Sequence, residues 1–138
     1  MQHPPARMRA VRLAQAAVAL AACVPVVAGG AGIVLGEALL GTPAGANPAL
    51  DSHVRYLSGL LLGIGLAFWS TVPALPLHHR RFALLTAIVV LGGLARLVAL
   101  PAQGWPGAPM AAALVMELVV TPLLFVWQRR IARSAGNR

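Results

Sequence analysis

Apart from four histidines, this 138-residue chain carries only three acidic and eleven basic residues, and several of them stand inside long apolar runs. Asp51, His53 and Arg55 share the opening turn of DSHVRYLSGLLLGIGLAFW, Arg96 stands toward the far end of a second run, and Glu117 lies within a third. On helices, Arg55 lies about 6 Å beyond Asp51, Arg96 about 7 Å from the outer end of its run and Glu117 about 10 Å from the outer end of its own. A lone charge at such depth in a bilayer costs about 2.5 to 3.5 kcal/mol on insertion scales, so these side chains are expected to turn inward. There Glu117 can accept forked hydrogen bonds from Arg96 or Arg55. Two guanidiniums against one such carboxylate leave positive charge over, to be neutralised by Asp51, by Glu37 or by an anionic ligand.

That arrangement supports more than one chemistry. In the first reading, Arg55, Arg96 and Glu117, completed by Asp51, form an ion-pair network that sets helix register. In a second, His53, Arg55, Arg96 and Glu117, with Asp51 and Tyr56 beside them, form an outward-facing pocket for an anionic or quinone-like small molecule. A third, a membrane enzyme using His53 and Glu117 as acid and base, needs both groups within hydrogen-bond reach of one reacting atom, directly or through a water. No nucleophile elbow, phosphate loop or HExxH pattern is present, so the balance tilts away from an enzyme. No second cluster of Cys, His or carboxylate stands at ligand spacing, and neither a metal nor a cofactor is expected. His78 and His79 adjoin Arg80 and Arg81 and belong with a basic connector. Cys23, the only cysteine, lies in an apolar run and reads as a small buried hydrophobe.

The elements that must hold these residues are read from composition. Hydrophobic residues make up 59% of the chain and charged residues 10%, against about 25% charged in a soluble domain. The expected class is therefore all-α: a polytopic membrane protein, a compact single-domain bundle of four transmembrane helices at about 13–35, 52–72, 82–100 and 110–128. Pro25 should kink the first. The Gly/Pro/Asn-rich stretch from Glu37 to Leu50 and the segment PAQGWPGAP read as outer loops, and Asp51 or Ser52 as the cap of the second helix. Arg7, Arg9, Arg12, Arg80, Arg81, Arg129, Arg130, Arg133 and Arg138 then fall on one side, against Arg55 and Arg96 toward the other. By the positive-inside rule both termini are cytoplasmic, and the net charge of +8 serves lipid headgroups rather than nucleic acid. Trp69 and Trp127 mark the inner boundary and Tyr56 the outer. An Arg-rich start before an apolar core and the small residues Ala28 to Gly32 also fit a cleavable signal peptide, but the apolar run continues to Leu35, which favours a retained helix.

Glycines supply the packing expectations. Gly59 and Gly63 share a face with Ser52 and Tyr56 and read as a small-residue seam for close helix approach, repeated by Gly32 and Gly36, while Gly92 and Gly93 leave room beside Arg96. The same seam could instead join two copies of the chain, so a homo-oligomer or a membrane-protein partner stays open beside the lipid bilayer itself. Taken together, LDSHVRYLSGLLLGIGLAFW, LTAIVVLGGLARL and ALVMELVVTPLL resemble a bacterial domain-of-unknown-function family of small four-helix integral membrane proteins, from Leu13 to Gln128. The resemblance implies the bacterial inner membrane and this fold class, and it brings no activity.

Overall fold

The computed structural model describes residues 4–105 and 107–136. Arg138 of the basic C-terminal stretch and Pro106 of the second Gly/Pro-rich segment lie outside them. The described chain is all-helical: α1 (Pro4–Leu35), α2 (Pro48–Trp69), α3 (His79–Gln103), α4 (Ala108–Val115) and α5 (Thr121–Gly136), with a π-helical turn at Met116–Val120 joining the last two. Short 3-10 turns follow α1 at Gly36–Leu40 and α2 at Val72–Ala74. Four segments are long and apolar enough to cross a membrane: Arg7–Leu40, Pro48–Ala74, His79–Ala102 and Ala108–Arg133.

Contacts divide the chain into two compact units, Ala16–Val72 and the remainder. In the first unit, α1 and α2 form an antiparallel hairpin whose pairing can be followed end to end. Trp69 Nε1 donates to the Ala19 carbonyl at 2.9 Å, Gly65 backs onto Val26, Gly29 onto Leu62 and Ser58, Gly32 onto Ser58, and Arg55 reaches Ile33. On α2 the contacting positions are 51, 55, 58, 62, 65 and 69, a strict alternation of four and three that keeps one stripe on the partner helix. A Cβ on Gly29 would lie 2.6 Å from the Leu62 nitrogen, and one on Gly32 would lie 2.0 Å from Ser58 Oγ, so the backbones meet where only glycine fits.

This stripe corrects the expected seam. Nothing lies within 4 Å of a Cβ built on Gly59 or Gly63, whereas Ser58 and Gly65 sit at the contact. The helix is apolar around its whole circumference, so periodicity gives no phase, and the face that packs is one residue, or about 100° of helix, from the one expected. The start of α2 also moves: Asn47, not Asp51 or Ser52, is the N-cap, its side chain accepting from the Leu50 amide at 3.1 Å with Pro48 in the first helical position. At the other end α1 begins at Pro4, upstream of the expected Leu13, and runs through Pro25 to Leu35.

In the second unit, α3 runs antiparallel to the α4–π–α5 segment. Phe82 and Phe125 stack at 6.5 Å between centroids, and Gln128 Nε2 donates to the Leu75 carbonyl at 2.9 Å. Leu75, Phe82 and Ile131 are buried with them, and the start of α1 joins through buried Ala14 and a bond of 3.3 Å from Gln15 to the Pro73 carbonyl. Gly93, but not Gly92, makes a close approach: its Cβ would lie 2.8 Å from Leu118 and 2.9 Å from the Glu117 Cβ. The π turn answers to Pro122, which has no N–H to give and whose ring crowds the carbonyl four residues back. The Thr121 amide bonds instead to the Met116 carbonyl five residues back, which also accepts from Thr121 Oγ1 at 2.8 Å.

Candidate functional site

The predicted polar residues form two ion pairs, one in each unit. In the first unit the last carbonyls of α1 lack helical donors and carry the negative end of its dipole. Arg55, about two turns into α2, fills that gap: Nη1 donates to the carbonyls of Ile33 and Val34, the latter at 3.2 Å. Its other donors fork onto Asp51, Nε to Oδ2 at 2.7 Å and Nη2 to Oδ1 at 3.2 Å, and Asp51 Oδ1 also accepts the Glu37 amide at 3.1 Å. The turn that brings this amide round is made by Gly36 at φ +57°, where a Cβ would sit 1.8 Å from Asp51 Oδ1. A side chain is excluded there twice over, by conformation and by space.

Glu37 closes the network. The 14-residue stretch expected as an open outer loop begins with a 3-10 turn that buries this carboxylate completely. Glu37 Oε2 accepts the Asn47 amide at 3.0 Å, tying the end of α1 to the residue that caps α2, while Oε1 has no partner among the described residues. His53 and Tyr56 lie on the same first turns of α2, exposed, and their side chains make no hydrogen bond to a described residue.

In the second unit Arg96 and Glu117 make the forked pair expected of them, Nε to Oε2 and Nη2 to Oε1, both at 3.2 Å. Three local features position it. Gly93 leaves room for the Glu117 Cβ one turn before Arg96, the π turn carries Glu117, and Met110 Sδ accepts from Arg96 Nη1 at 2.9 Å. A thioether is a weak acceptor for a guanidinium. Thr121, four residues beyond Glu117, gives its hydroxyl proton to the Met116 carbonyl of its own helix. Among the described residues no three His, Cys, Asp or Glu side chains gather as a metal site would require.

Over residues 13–128 the chain matches the family described as a domain of unknown function, DUF4345. The chain belongs to that family. No curated protein and no solved structure matches it. In this DUF4345 chain, sequence reasoning passed over Glu37 as a buried group, Asn47 as a cap and Met110 as a partner of Arg96. Asn47 was legible, since Asn followed by Pro is the usual signature of a helix cap and first position. Glu37 and Met110 had no such signal, because their roles depend on contacts made by tertiary packing.

Proposed function

We propose that this DUF4345 protein is an integral protein of the bacterial inner membrane, both termini cytoplasmic, with a structural or accessory role in which the polar groups lock helix ends and register. The membrane reading is supported by the outward surface of the helices, where Leu20, Val34, Leu91 and Val98 are all more than two-thirds exposed. A protein in water hides such side chains, whereas in hydrocarbon they meet their own kind. The observation that carries the structural role is Arg55, whose Nε, Nη1 and Nη2 are all given to Asp51 and to the end of α1. Arg55→Lys keeps the charge but loses the fork. In detergent, Arg55→Lys should melt below the parent and Arg55→Ala lower still. Unchanged melting in both variants would refute the lock.

A second reading, a binding or transport site for an anionic or quinone-like small molecule, is favoured by Arg96. Its side chain is 36% exposed, and Nη1 is turned to a sulfur that an oxygen ligand would outbid. Native mass spectrometry of the mildly extracted protein tests it. A co-purifying species present in the parent and absent from Arg96→Ala would make this the function, whereas an empty parent would leave the structural role standing alone.

A further inference from the structure

The guanidinium of Arg96 faces two partners at once. Glu117 takes Nε and Nη2, each at 3.2 Å, and the remaining Nη1 edge donates to Met110 Sδ at 2.9 Å. Met110, in the first turn of α4, is 37% exposed and the Arg96 side chain 36%, so this contact between sulfur and cation lies at the protein surface, open to small solutes. A thioether is a weak acceptor, and an oxygen in its place would make a charge-assisted bond to the same donor. Oxidation of the sulfur supplies that oxygen covalently, with no bound molecule required.

We propose that Met110 is a reversible oxidation site, at which a peroxide converts the thioether to the sulfoxide and Arg96 Nη1 donates to the new oxygen. A sulfur lone pair attacks one oxygen of hydrogen peroxide, and the S–O bond forms as the O–O bond breaks. The departing hydroxide takes the proton left on the transferred oxygen and leaves as water, so sulfur loses two electrons and the peroxide gains them. A methionine sulfoxide reductase reverses the step, with two thiols leaving as a disulfide and the oxygen as water. Methionine is unbranched and has three rotatable bonds, so the oxygen can swing into the place the sulfur held. Sulfoxides ordinarily disturb the apolar packing around them. Here the oxygen meets a guanidinium already in position. Arg96 then ties α3 to α4 through the sulfoxide and to the π turn through Glu117, and oxidation tightens the second unit instead of loosening it.

The test treats the full chain in detergent with graded hydrogen peroxide, reads each methionine by peptide mass spectrometry and measures melting before and after. Met110 should be oxidised together with Met8, which is 59% exposed, and before Met116, half-buried in the π turn. Oxidation at Met110 should raise the melting temperature by about 3 °C, and reductases of both epimer specificities with dithiothreitol should return it to the start. Met110→Leu should show no rise. Met110→Gln, whose amide oxygen stands in for that of the sulfoxide, should melt above Met110→Leu with no oxidant. Arg96→Lys keeps a charge for Glu117 but lacks the second edge, so oxidation should not raise its melting. The proposal is overturned if Met110 stays unoxidised when Met8 is fully converted, or if the oxidised parent melts at or below the reduced one. A rise of the same size in Met110→Leu or Arg96→Lys, or Met110→Gln melting no higher than Met110→Leu, would overturn it as well.

Discussion

Gly36 shows how much a single backbone position can decide. Its positive φ turns the chain back after α1, and its missing Cβ leaves the space that the Asp51 carboxylate occupies. Gly36→Ala must either lose the turn or push Asp51 off the Glu37 amide and off Arg55. Strain of this kind costs about 1–3 kcal/mol. Gly59→Ala, by contrast, introduces a methyl into open space and should change stability by less than about 0.5 kcal/mol. Comparing the two in a detergent unfolding titration checks the assignment, and equal effects would refute it. The candidate site was legible at this scale only in part. Charges deep in apolar runs announce that they need partners, and the forked Arg96–Glu117 pair follows from that need. That Arg55 would reach the carbonyls of Ile33 and Val34, more than twenty residues back, could not be read from its spacing to Asp51.

For whole helices, apolar length and Gly/Pro punctuation are strong signals, and the helices lie close to where those signals put them. Their rotation is different. A helix apolar on every side has no polar face to mark what points away from its partner, so a glycine pair such as Gly59 and Gly63 is as persuasive in sequence as Gly29 and Gly65. Only the pairing of α1 with α2 separates them. The same distinction gives a paired prediction in the second unit. Gly93→Val would drive its branched side chain into Leu118 and the Glu117 Cβ, which overpacking data put at about 1–3 kcal/mol. Gly92→Val, one residue away, meets nothing within 4 Å and should be nearly silent in the same detergent titration. A larger loss at Gly92 would mean that α3 is rotated relative to the π turn.

For the molecule as a whole, the testable statement is topology. In a Cys23→Ala background, Ala44→Cys between α1 and α2 should react with a membrane-impermeant maleimide in intact cells, whereas Leu77→Cys between α2 and α3 should react only after permeabilisation. The reverse pattern would invert the protein, and labelling of both sites in intact cells would put both connections on the outer side and refute a span by α2. The apolar content, the four apolar lengths and the gathering of most arginines at the ends of the apolar runs are properties of the chain itself, because transfer into hydrocarbon depends on composition and length and not on which residue touches which. The phase of each helix, the burial of Glu37 and the turn of Arg55 onto the end of α1 were decided by tertiary structure. Each depends on bringing residues tens of positions apart within 3 to 4 Å, and in helices apolar on all sides no local pattern encodes that choice.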